Sequence, residues 1–144
     1  MLIQQLGRLG WVAGAVGSPG LAYSYKKLYN PDMAETKSVE FRGSSLDDLR
    51  AFPLEAKREA GHQLDQVQNG QEPDDWKPMI AVGQGVREIR IRDAAGAFRV
   101  IYVAKFADAI YVLHCFQKKT EKTSRADVDL AAKRYRDLLK ELTQ

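Results

Sequence analysis

Residues 86–92 read Val-Arg-Glu-Ile-Arg-Ile-Arg, and this alternation restricts the fold more than any other stretch. A period of two is that of a half-exposed strand. Asp93-Ala-Ala-Gly96 then supplies a turn, and Phe98-Arg-Val-Ile-Tyr-Val-Ala-Lys105 a second strand rich in β-branched and aromatic residues. Ile89 and Ile91 must share a core face with Phe98, Val100 and Tyr102, because a slip by one residue would bury arginines instead. That parity places Arg90 and Arg92 on the face of Arg99. With Ala94-Ala95 at the turn tip, Arg90 lies directly opposite Arg99; with the register shifted by two, Arg92 does. Like charges directly opposite weaken a ladder. A fold that keeps them together gains something from it, such as a clamp for an anion. Guanidinium forks match phosphate oxygens.

Ile110-Tyr-Val-Leu-His-Cys-Phe116 is a third strand, apolar on both faces and therefore central. A four-residue loop, Phe106–Ala109, would set His114 opposite Ile101 and on the arginine face. A five-residue loop would set it in the core. Gln117-Lys-Lys-Thr-Glu-Lys-Thr123 follows, with lysines at the strand end beside that same face. Upstream, Val39–Phe41 is a short strand. Ser44 or Ser45 opens a short helix with Asp47 and Asp48 in its first turn, where the helix dipole favours anions. Pro53 opens a second helix as its first residue, with Ala56, Ala60, Leu64 and Val67 on one face and Gly70 as its stop. Gln71–Gly85 is a loop, with Trp76 packed beneath it. Thr123 or Ser124 caps a last helix whose apolar stripe is Val128, Ala131, Ala132, Tyr135, Leu138 and Leu139. Tyr135 is thus a core residue. The order is strand, two helices, three-strand meander, helix: an α+β domain.

The 144 residues suit one domain, but the pattern changes near Asn30–Met33. Residues 1–36 are Gly-rich with no clean period and form an extension of unknown role; residues 37–144 carry the regular signals. Met33 is a candidate internal start. The apolar stretch Leu9–Tyr23 has 15 residues, four of them glycine, and includes Pro19. A spanning helix needs ~20 apolar residues, so neither a membrane span nor a signal peptide is expected. Cys115, the single cysteine, reads as a buried strand residue in a reducing, cytoplasmic compartment. His62 and His114 lie far apart and make no zinc site with it. Gly83-Gln-Gly85 precedes a strand, so it is no dinucleotide fingerprint, and no phosphate loop is present. No cofactor or metal is expected.

The formal net charge of +3 hides a segregation. Residues 44–75 carry eight acids and three bases; residues 86–125 carry nine bases and four acids. An acidic helical hairpin faces a basic sheet, and a basic sheet surface is an electrostatic footprint for phosphates.

Five stretches together resemble the RelE/ParE toxin superfamily in its phage-derived, HigB-like branch. They are Ser44-Ser-Leu-Asp-Asp-Leu-Arg-Ala-Phe-Pro53, Trp76-Lys-Pro78, Val86-Arg-Glu-Ile-Arg90, Phe98-Arg-Val-Ile-Tyr102 and His114-Cys-Phe-Gln-Lys-Lys-Thr120. The resemblance implies a RelE-like fold: an N-terminal strand and helical hairpin packed on an antiparallel sheet of three to four strands, with a C-terminal helix. It also implies the toxin of a type II toxin–antitoxin pair, a metal-independent endoribonuclease that cuts mRNA on the ribosome. A helix-turn-helix antitoxin is the implied partner. The family's strand arginine matches Arg99. Basic residues of the preceding strand match Arg90 and Arg87, and those after the last strand match Lys118 and Lys119. Arg90, Arg99, Lys118 and Lys119 are therefore catalytic candidates. His114, whose type titrates near neutral pH, joins them for proton transfer; with His114 in the core, that role falls to Lys118 or Lys119. Arg87, Arg92, Lys122 and Arg125 are candidates for holding RNA. The competing readings are a gyrase-directed toxin, a non-catalytic RNA-binding module, and a toxin silenced by its N-terminal segment.

Overall fold

The computed structural model describes residues 11–15, 22–27 and 36–143. Met33 lies outside them. The described elements run β1 (Trp11–Ala15), β2 (Ala22–Lys27), β3 (Ser38–Arg42), α1 (Ser45–Arg50), α2 (Leu54–Gln68), β4 (Trp76–Pro78), β5 (Val86–Asp93), β6 (Gly96–Val103), β7 (Ala109–Lys118) and α3 (Arg125–Leu142). The sheet order is β1-β2-β3-β7-β6-β5-β4. The α+β class, the helical hairpin, the meander and the C-terminal helix are as expected.

The sheet itself differs from the expectation in three ways. It is mixed, because β3 runs parallel to β7. The stretch read wholly as loop contains β4, which pairs Trp76 with Ile89 at the sheet edge. Three residues ending in a proline are too short to show a period, and the edge is where a sheet tolerates proline. Residues 1–36, in which no period was found, contribute a hairpin, β1–β2, that extends the sheet beyond β3.

Helices cover both faces. On one, α1 and α2 bury Leu46, Leu49, Ala56, Ala60 and Leu64 against Ile89, Ile91, Phe98, Val100 and Tyr102. The core face read from strand parity is thus the one formed. On the other, the α3 stripe Ala131, Tyr135 and Leu138 packs on Val86, Ile101, Val103, Tyr111 and Leu113. Pro53 sits just before α2, not within it, at φ −54° and ψ 154°. Ser124 is the α3 cap: its side chain accepts from the Asp127 N–H at 3.1 Å. The loop after α2 is anchored by Gln63, which accepts from the Asp74 N–H (2.7 Å) and donates to its carboxylate (2.8 Å).

Two outcomes follow from this packing. Cys115 is 1% exposed in the first core, and burial pushes its thiol well above the ordinary cysteine range. In the folded protein it should resist a thiol reagent even near pH ~8.5, where a free cysteine ionises, and react in step with unfolding by denaturant. Reaction at the free-thiol rate would contradict the burial. A methyl group added at Gly83 would overlap the Tyr135 ring, and Tyr135 is held there by a bond from its hydroxyl to the Gln84 carbonyl at 3.2 Å. Gly83→Ala should lower stability by about 1–3 kcal/mol, the usual scale of overpacking, as read from urea midpoints.

Candidate functional site

The β5–β6 register pairs Arg90 with Arg99 and Ile89 with Val100. Of the two registers open from the sequence, the turn-tip one is therefore formed. Alternation then puts Glu88, Arg90 and Arg92 on the face of Arg99, beyond the area that α3 covers. Lys118, at the end of β7, reaches the same region. Its ammonium is held below the usual lysine range by partial desolvation, then by the charges of Arg99 and Lys77. Arg90 is exposed and faces the Asp75 carboxylate at 3.8 Å, while its N–H donates to the Asp75 carbonyl at 2.8 Å.

Arg99 is placed on this face but is not open to solvent: it is 3% exposed. Its Nε stands 3.5 Å from Glu88 Oε1, and its Nη1 donates to the Phe98 carbonyl at 3.0 Å. Glu88 is wholly buried. Its Oε2 accepts from the Thr123 hydroxyl at 2.9 Å, and Lys77 Nζ lies 3.7 Å from Oε1. Burial depresses the Arg99 pKa, Glu88 opposes that, and Arg90 and Arg92 add to it. The guanidinium stays charged all the same, because its ordinary value is so high. The like-charge pair Arg90–Arg99 is thus compensated from within the sheet by a carboxylate two residues before Arg90.

His114 pairs with Ile101 and Phe116 with Arg99. The loop does not produce this alignment. Next to the loop the register is Tyr102 with Val112, and an irregularity between Ile101 and Tyr102 shifts it by one. Continued without that bulge, the ladder would set His114 opposite Val100, inside the first core. The bulge turns it to the α3 face, where Nε2 meets Asp127 Oδ1 at 2.7 Å. Asp127 is held by the Ser124 hydroxyl at 2.6 Å. Phe116 stacks on the imidazole with centroids 4.8 Å apart. His114 is 6% exposed, and its Nδ1 is buried without a hydrogen-bond partner.

Of the remaining sequence candidates, Arg92 alone shares this face. Arg87 lies on the opposite face of β5, stacked 3.9 Å over Trp76 and 3.4 Å from Glu72. It belongs to the packing of β4, and Trp76 is covered by it. Arg92 is on the arginine face and exposed. Lys119 and Lys122 are exposed past the end of β7, and Arg125 is an exposed residue paired with Asp129 at 3.3 Å. Sequence reading missed Glu88, Lys77, Thr123 and Asp127. Parity could have found Glu88, since it is two residues from Arg90. Nothing local signals that Lys77, Thr123 and Asp127 would reach the sheet face.

Among the described residues there is no group of three or more His, Cys, Asp or Glu placed to hold a metal ion. No described helix is long and apolar enough to cross a membrane. A search of curated proteins finds no match. Residues 47–136, from within α1 to within α3, match the family model described as phage derived protein Gp49-like (DUF891), and the chain belongs to that phage-derived Gp49-like family.

Proposed function

We propose that this protein is the toxin of a type II toxin–antitoxin pair, a metal-independent endoribonuclease that cuts mRNA on the ribosome in the cytoplasm. A helix-turn-helix antitoxin is its proposed partner. The observation that carries the reading is the gathering of Arg90, Arg99, Lys77 and Lys118 at one end of the sheet, with Arg90, Lys77 and Lys118 reaching its surface, in a chain of the Gp49-like family. The 2′-hydroxyl of a bound nucleotide attacks the adjacent phosphorus, and the 5′-oxygen of the next nucleotide leaves. The products are a 2′,3′-cyclic phosphate and a 5′-hydroxyl. DNA, without that hydroxyl, is not cut.

Burial divides the labour among the cations. Arg90 and Lys118 are the groups that can touch phosphate oxygens. Arg99 acts from behind them, fixed by Glu88, and adds positive potential at the charge that builds on the phosphorane. His114 is the proton-transfer candidate, held by Asp127. The burial of Arg99 also favours a second reading, a module that binds RNA without cutting it.

The test is end-mapping of mRNA after controlled expression, with purified protein and RNA alongside. Arg90→Ala and Lys118→Ala should each slow cleavage by ~10²–10³, the effect of losing one preorganised donor, without change in urea midpoint. Binding without cleaved product, weakening steeply with salt, would establish the non-catalytic reading. Growth arrest with intact mRNA and inhibited supercoiling would establish a gyrase-directed toxin.

Arg99→Ala should behave differently. Leaving the buried Glu88 with only the Thr123 hydroxyl and the more distant Lys77 should cost about 3–5 kcal/mol of stability. Replacing both Arg99 and Glu88 by apolar residues should restore most of that. An Arg99→Ala protein as stable as the parent would show that the pair does not hold this part of the sheet together.

A further inference from the structure

A cleft of about 490 Å³ opens on the side of β7 away from β6. Four consecutive residues, His114 to Gln117, line one wall. Successive strand residues point to opposite faces, so four in a row can share a cleft only where it follows the strand's edge. That edge is free because β3 pairs with β7 no further than Val112. The facing wall is the turn between α1 and α2, with Phe52 and Pro53, and Phe98 lies beside Phe52 with ring centroids 4.9 Å apart.

The polar groups around these rings are few and of particular kinds. Gln117 donates its Nε2 to the Ala95 carbonyl at 3.2 Å, which fixes the amide and leaves its oxygen as an acceptor. Asp48 receives the Ser44 hydroxyl on Oδ2 at 2.9 Å and keeps its other oxygen. Lys119 is exposed at the rim. Acceptors on one side, a cation at the rim and the exposed carbon of Ala51 and Pro53 between them are what one nucleotide needs. The volume lies in the range of small-ligand sites, ~300–1,000 Å³.

We infer that this cleft binds one nucleotide of RNA, the neighbour of the scissile phosphate, and favours guanine. Guanine presents a ring N–H beside an exocyclic amine, two adjacent donors for the Asp48 carboxylate. Its ring lies against Ala51 and Pro53, and its phosphate meets Lys119. The inference rests on the proposed RNA-cleaving function for its setting. Alternation at the end of β7 puts Lys118 on the cationic face and Gln117 and Lys119 on the cleft side. An RNA chain crossing the end of β7 therefore meets both sites with consecutive nucleotides. Lys119, which the sequence groups with the arginines, thus acts apart from them. It holds a flanking phosphate.

The test titrates the full chain with GMP, AMP, CMP and UMP, followed by amide NMR shifts. GMP should move residues 48–53 and 114–119, with an affinity ~10-fold or more above that of UMP, the scale of one bidentate base contact. Asp48→Asn should remove the preference for GMP. Ala51→Trp, at an exposed position on the wall, should abolish binding while the fold, read by the remaining amide shifts, is kept. Equal binding of all four nucleotides, or shifts confined to Arg90 and Lys118, would overturn the inference. So would an Ala51→Trp protein that loses a protein partner while GMP leaves the cleft unmoved, since the edge would then dock a peptide strand. GMP in the cleft of a protein that leaves RNA uncut would refute the nuclease reading alone. RNA cleavage with unaltered site preference in both variants would refute the cleft alone.

Discussion

Everything on the cationic face depends on one carboxylate. Glu88 has no exposed surface, and a buried ion loses several kcal/mol of hydration that its surroundings must offset. Its partners come from three separate places: Arg99 on β6, Lys77 on β4 and Thr123 just before α3. The ion therefore fixes the edge strand, the central hairpin and the start of the last helix to one another. It also makes the cross-strand pair Arg90–Arg99 tolerable. Without Glu88, two guanidinium groups would face each other across a ladder with one of them out of water. With it, Arg99 is neutralised locally and the outer cations remain available.

The second constraint is the bulge on β7. Leu113 and His114 both serve the α3 side, Leu113 in the second core and His114 against Asp127. One extra residue thus lets an apolar strand supply a polar side chain to the end of α3 without breaking the alternation on either side. Cys115 returns to the first core and Phe116 to the second. Ser124 caps α3 and steadies Asp127 as well, so the helix start and the imidazole are set by the same short segment. Thr123 and Asp127 join α3 to the sheet at two points, on either side of that cap.

How far this was legible in the sequence follows from the range of each interaction. The hairpin register was legible because period two and the turn Asp93–Gly96 determine it locally. The α3 stripe and the α1–α2 hairpin were legible from helical spacing. The parallel partnership of β3 with β7 was not, since sixty-odd residues separate strands that carry no mark of direction. Nor were β4 and the β1–β2 hairpin, whose strands are too short or too Gly-rich to show a period. The sequence left His114 open between the arginine face and the core according to loop length; the loop, residues 104–108, is the five-residue one that points to the core, and the bulge overrides it. A bulge leaves no compositional trace in an apolar run. Arg99 was read by parity on the correct face, but parity says nothing of depth, and its burial depends on Glu88 and on a loop from another part of the chain.

Depth changes what the charge pattern means. Counted along the sequence, Arg90, Arg92, Arg99 and Lys118 are equal contributors to one basic patch. In the fold they form two layers. The inner layer is an ion pair that cannot be displaced cheaply, because moving Arg99 outward would strand Glu88. The outer layer is Arg90, Arg92 and Lys118, which need give up only water or the 3.8 Å contact with Asp75 to meet an anion. An exposed ion pair of that length is weak, so a phosphate can compete with Asp75 far more easily than with Glu88. A site arranged in this way keeps its geometry when empty: the buried pair holds the strands in register, and the surface cations exchange partners without disturbing them. The segregation of acid to the α1–α2 layer serves the same end, since it leaves Asp75 as the acid paired with Arg90 at the open end of the sheet.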